Sequence, residues 1–183
     1  WQGRLGAMGK SGRGEQRLRD NAIGELVQDL LHVVVGKTNL LSPFENMALS
    51  DGLKASEATA RDYFEALLEF VAPPKPGPDQ FARLAGAVEN LPVGPGKAKA
   101  ATWPGLTVAP FLARPDAFVF LKPEPTRACA DRIRFEIHYS AELRWTTYSS
   151  VLKMSQLLME WLAPRGARDY IDVQSFMWII AKY

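Results

Sequence analysis

A single cysteine, Cys129, in 183 residues excludes an internal disulfide and a cysteine-rich zinc site. Histidine is nearly as scarce. His32 and His138 form no HxxxH pair and have no Cys/His partner at metal-ligand spacing, so both read as surface or hydrogen-bonded side chains. Excess charge of one sign is missing too: 22 Lys and Arg against 20 Asp and Glu leave a net +2, too little by itself to imply nucleic acid. Apolar runs fall far short of a membrane span, and no secretory pattern is visible. These absences point to a cytoplasmic setting, with no membrane partner and no metal or cofactor.

What is present is globular. With 47% hydrophobic residues the chain can bury a core of one ordinary domain. Its first twenty residues carry Arg4, Lys10, Arg13, Arg17 and Arg19 against Glu15 and Asp20, with five glycines interspersed. Residues 1–20 therefore read as a flexible basic lead-in to a single helical domain at 21–183. The chain starts at Trp1 rather than Met, which suggests a fragment of a longer protein.

"HVVVGKTNLL" (32–41) has the look of a strand entering a phosphate-binding loop. That loop needs a glycine five positions before Gly36, and Leu31 stands there. Ile23, Leu26, Val27, Leu30, Leu31 and Val34 instead mark one stripe of an amphipathic helix over 21–35, stopped by Gly36. Lys37 is then an ordinary residue after a helix. "SPFE" (42–45) starts a second helix with a capping box and a proline at its first position, running to about Leu49 and ended by "SDG". Helices follow over 56–71, around Phe81–Val88 and over Trp103–Leu112, with 72–80 a stiff proline-rich connector.

The second half suggests strand. "FVFLKPEP" (118–125) is extended because proline keeps Lys122 and Glu124 out of the helical region. Ile133, Phe135, Ile137 and Tyr139 alternate with Arg134, Glu136 and His138. The fold class expected is mainly α with some β (α+β): a helical domain with a two- or three-stranded antiparallel ribbon from 118–121 and 133–139 around a short helix at 127–132. Thr146 or Thr147 caps a helix to Leu162, and Asp169 or Asp172 caps the last one, whose stripe is Val173, Phe176, Met177 and Ile180. Leu30, Phe64, Leu67, Phe135, Leu158 and Phe176 are expected in the core.

Catalytic constellations are scarce. No serine sits in a GxSxG elbow, and Cys129 reads as a small core residue. Asp116 and Lys122 suggest a nuclease pattern, but Phe120 occupies the position of its second acid. In "LPVGPGKAKAA", Gly94, Gly96 and Ala100 have the spacing of a helix-hairpin-helix loop, where glycine amides would approach a phosphate aided by Lys97 and Lys99. Pro95 and Pro104 depart from that pattern, and a plain inter-helix loop with solvated lysines is the favoured reading. Lys122, Glu124, Arg168, Asp169 and Asp172 form a second candidate cluster, either a ligand site or an ion pair from Lys122 to Asp169 or Asp172 with Arg168 pointing outward. Among the tryptophans, Trp161 and Trp178 lie in amphipathic helices and read as core or rim. Trp145 is the candidate exposed anchor, or else a hydrophobic staple.

"NLLSPFE", "FLKPEPT", "WTTYSSVL" and "GARDYIDVQSFMW" together resemble the C-terminal region of uncharacterised bacterial proteins, some with an N-terminal Tudor-like barrel. The resemblance spans about residues 22–180. It implies a module tethered to a barrel that contacts transcription or repair machinery, and it carries no catalytic residue. The function expected is a non-enzymatic binding domain in a nucleic-acid-linked process, contacting DNA, RNA or a DNA-bound protein. The alternative is an enzyme whose site is assembled from the scattered Lys122 cluster.

Overall fold

The structure, a computed structural model, describes residues 13–182. The expected lead-in lies mostly outside them, but its last part forms a helix, α1 (Arg13–Arg19), and is not loose. Arg17 ties it down by ion-pairing with Asp29, and Arg61 donates to the Leu18 carbonyl at 3.3 Å.

Next come α2 (Ile23–Val34), α3 (Pro43–Ala55), α4 (Glu57–Val71) and α5 (Pro78–Glu89). Ser42 and Glu45 close the capping box at the start of α3. The "SDG" triplet does not end this helix. Leu49, Gly52 and Leu53 continue one buried face, so packing carries the helix through to Ala55. The connector is also shorter than expected, because Pro78 already sits inside the first turn of α5.

α6 (Trp103–Ala113) is buried along its whole length. A helix apolar on every side has no solvent face, and α6 accordingly sits in the middle, touching α2, α3, α4 and α5. α7 (Pro123–Ile133), α8 (Trp145–Leu162) and α9 (Tyr170–Lys182) complete the fold, with a single 3-10 turn after α8. The broadest helix pairing in this half is α7 against α9. An aromatic cluster joins the halves: Phe70 lies 4.8 Å from Phe118, and Phe81 stacks on Tyr148 at 5.4 Å (ring centroids).

The antiparallel ribbon is not there: no strand occurs among the described residues. Residues 118–121 are fully buried; Phe118 donates its N–H to the Arg114 carbonyl at 3.0 Å, and side chains rather than a partner strand serve the backbone of the next three. Val119 donates its N–H to the Tyr148 hydroxyl at 3.3 Å, and that hydroxyl donates back to the Val119 carbonyl. Leu121 N–H donates to Thr107 Oγ1 at 3.0 Å. With the Gln174 amide oriented to satisfy both its ends, its nitrogen donates to the Phe120 carbonyl at 2.8 Å. Residues 135–140 are served similarly from α8, where Thr147 Oγ1 donates to the His138 carbonyl at 2.8 Å and Ser150 Oγ donates to that of Ile137. Buried backbone needs partners but not strand partners. His138 also adopts a left-handed φ of 44°, which no regular strand permits. The alternation still assigned faces correctly, with Ile137 buried between exposed Glu136 and His138.

The expected helix at 127–132 begins earlier, at Pro123, because two prolines fit its first turn. α8 begins at Trp145 rather than after a threonine cap, since Thr147 spends its hydroxyl on residues 138 and 140. Of the expected core, Leu30, Phe64, Leu67 and Leu158 are buried, whereas Phe135 and Phe176 are only partly covered.

Candidate binding groove

A concavity of about 610 Å3 lies between the segment after α2 and the outer side of α9. Leu40, Phe111 and Ile171 give it an apolar floor, and Trp178 and Ile179 form its wall. Past Trp178 it continues as a second hollow of about 490 Å3 along residues 38–43, reaching Asn46 and Lys122. Thr38, Asn39, Leu40 and Trp178 line both, so the two read as one elongated groove.

Its walls follow from the local sequence. Thr38 Oγ1 donates to the Val34 carbonyl at 2.8 Å, finishing α2, and the chain then runs beside α9. Opposite, Val173 and Met177 hold α9 to the core. "MWII" (177–180) is apolar over more than one face of a helix, so part of it must face out. Ile179 is 59% exposed and Trp178 37%. That four-residue run was the available signal for the site, masked by the Val173-to-Ile180 stripe. The Trp178 ring is held in place, because its indole N–H donates to Gln174 Oε1 at 3.2 Å.

Most polar groups lining the groove are already engaged. The Thr38 hydroxyl donates to α2 and that of Ser175 to the Ile171 carbonyl at 2.9 Å. Gln174 bridges Phe120 and Trp178. Lys122 Nζ lies 2.6 Å from Glu45. What the groove offers a ligand is therefore the Asn39 amide, the buried and unpartnered Asn46 Oδ1 in the second hollow, and the exposed ammonium groups of Lys37 and Lys182, neither of them within 4 Å of a described carboxylate.

The residues singled out in the sequence are distributed differently. Lys122 does not reach Asp169 or Asp172; it pairs with Glu45, whose capping position puts it closer. Asp169 Oδ1 accepts from Ile171 N–H at 2.9 Å and Asp172 Oδ2 from Arg168 N–H at 2.8 Å, so both acids are occupied at the start of α9. Arg168 does point outward, 86% exposed, with its guanidinium 3.7 Å from Asp172. Glu124 is exposed in the first turn of α7. No hydrogen bond or ion pair among the described residues joins these into one cluster.

Trp145 is not an exposed anchor. Its ring lies 5.6 Å from Phe81 and 6.1 Å from Tyr148, within the aromatic cluster, while among the described residues Trp161 and Trp178 are exposed. In the 94–99 loop, Pro95 and Gly96 form a β-turn closed by Lys97 N–H to the Gly94 carbonyl at 3.1 Å. Gly96 takes φ +71°, which the turn demands there. Lys97 Nζ reaches Asp51 at 2.6 Å, and Lys99 is exposed.

Arg114 is a feature that sequence reading missed. Its guanidinium is mostly buried, donates to the carbonyls of Val71 at 2.9 Å and Pro73 at 2.6 Å, and lies 5.7 Å from the Phe118 ring centroid. A cation there complements the C-terminal end of α4. Among the described residues no three His, Cys, Asp or Glu side chains are grouped to hold a metal, and no helix is long and apolar enough to cross a membrane. Set against protein-family models, curated proteins and solved structures, the chain matches none.

Proposed function

We propose that this chain is a non-enzymatic binding domain in a nucleic-acid-linked process, and that it engages its partner through the groove beside α9. The observation that carries this reading is the exposure of Trp178 and Ile179 on a helix whose opposite face is anchored in the core. A fixed indole over an apolar floor is the kind of surface that binds by desolvation. The resemblance of "FLKPEPT" and "GARDYIDVQSFMW" to modules tethered to Tudor-like barrels supports the nucleic-acid context, as does the basic composition of residues 1–20. The decisive experiment is capture of partners from native extract by the full-length protein and its Trp178→Ala variant, with and without nuclease. A partner lost with the variant and depleted by nuclease is the expected result. Equal capture by both proteins removes the groove, and nuclease resistance removes the nucleic-acid link.

The 94–99 loop is the surface proposed for nucleic acid itself, on the strength of the exposed Lys99 beside Gly94 and Gly96, with Lys97 exchanging its Asp51 partner for a phosphate. Lys97→Glu with Lys99→Glu should weaken DNA binding equally for every sequence and lower the salt slope by about one unit per lost contact. Unchanged affinity returns the loop to a purely connecting role.

A further inference from the structure

We infer that the groove's occupant is an acidic, apolar-anchored peptide segment of a partner protein; this rests on reading the groove as the binding face. The floor of Leu40, Phe111 and Ile171 takes aliphatic or aromatic side chains, and Trp178 supplies a broad, rotationally fixed contact. The charged complement is one-sided, and the unpartnered Asn46 Oδ1 is an acceptor suited to a peptide N–H. Lys37 and Lys182 line the main hollow, no acidic residue lines either hollow, and the local hydroxyls and the Gln174 amide are committed to the protein's own backbone and to Trp178. A ligand that buries an apolar residue here meets two cations and the Asn39 amide, which pair with carboxylates. A basic or neutral segment would leave those cations without a partner at the rim.

The elongated form favours a peptide over a compact metabolite, since the two hollows share Trp178 and Leu40 as a common divide. Anchors on either side of that divide would fill both, as successive side chains of a helix or an extended strand do. Single-stranded nucleic acid fits less well. It needs a line of cations tracking the backbone with aromatic faces at successive base positions. Here one exposed indole stands between aliphatic side chains, and the third lysine, Lys122, is spent on Glu45.

The test is selection of a phage-displayed library of random peptides on the intact chain, followed by affinity measurement of synthetic winners. A single-stranded oligothymidine is measured in parallel. Winners should combine Leu, Phe or Trp anchors with Asp or Glu, and should weaken as salt rises. Trp178→Ala should lower their affinity by about tenfold or more. Because that substitution also frees Gln174, Ile179→Ser, at a more exposed position, serves as the second variant and should weaken binding several-fold. Lys37→Glu with Lys182→Glu should abolish binding of the acidic winners and admit basic counterparts. Winners that lose affinity with Trp178→Ala and Ile179→Ser, yet show no acidic enrichment and ignore the lysine reversal, overturn the acidic-segment inference and leave the groove standing. Winners indifferent to both groove variants, or no winners at all, overturn the groove as well. Oligothymidine binding that depends on Trp178 replaces the peptide with nucleic acid.

Discussion

Lys122 and Glu45, 77 residues apart in sequence, meet in a hydrogen-bonded ion pair of 2.6 Å that is about four-fifths buried on both sides. The same Glu45 carboxylate accepts the Ser42 N–H at 2.6 Å, so one side chain closes the start of α3 and fastens it to the entrance of α7. Burial pushes the Glu45 carboxyl up, and the hydrogen bonds from Lys122 and Ser42 outweigh it, leaving it below the usual carboxylate range. A depressed folded value means stability that is present above the unfolded value of about 4.3 and disappears as pH falls through the folded one. Glu45→Gln should therefore cost about 1–2 kcal/mol at neutral pH, with the gap from wild type closing as the solution is acidified below about pH 4. Urea melts of the two proteins across that range check this, and a gap independent of pH refutes the assignment.

Gly105 occupies a close approach. A Cβ built there would stand 2.1 Å from the Ala100 carbonyl oxygen, against backbone that cannot swing aside. Gly105→Ala is expected to destabilise by more than about 2 kcal/mol, as overpacking in a fixed core does. Gly86, in the interior of α5, has nothing within 4 Å of the same construction. Gly86→Ala should stabilise by about 0.5–1 kcal/mol. Equal effects at the two positions, measured by thermal or urea unfolding, would contradict the packing described.

Core truncation should separate residues that sequence periodicity ranked alike. Leu30→Ala, Phe64→Ala and Leu158→Ala, at sites 0–1% exposed, should each cost about 2–5 kcal/mol. Phe135→Ala and Phe176→Ala, at partly covered sites, should cost less than any of these. An unfolding series in which Phe176 ranks with Phe64 would place α9 deeper than it lies.

Helical faces were legible because their apolar stripes are long and each repeats one spacing. α2 buries every residue that its periodicity names, and α4 buries Phe64 and Leu67. The supposed ribbon was misread for a physical reason: an apolar run and a period of two report burial, not hydrogen-bond partners. Phe118–Leu121 is buried, yet its hydrogen-bond partners include no neighbouring strand. Of the site, only the excess of apolar residues at 177–180 was visible in advance. Lys37 and Lys182 lie 145 positions apart and come to one hollow because the segment after α2 runs beside α9.

Cys129 is fully buried, and burial raises its thiol above the ordinary range despite the nearby Arg132. In native protein at neutral pH it should resist an aromatic disulfide reagent and react at once in denaturant. Rapid modification of the folded chain would mean that α7 opens readily.

Phe118 donates its N–H locally to the Arg114 carbonyl, but Val119, Phe120 and Leu121 draw backbone partners from α6, α8 and α9, contributed by Thr107, Tyr148 and Gln174. None of those partners is available until all three helices are in place, so the segment can settle only near the end of folding. Its amides then have no local route to solvent. Exchange at Val119 and Leu121 should proceed only through global unfolding, at a rate that follows the stability of the whole chain under mild denaturant. A buried stretch with no regular secondary structure would thus be among the slowest-exchanging parts of the molecule, slower than the ends of the helices around it.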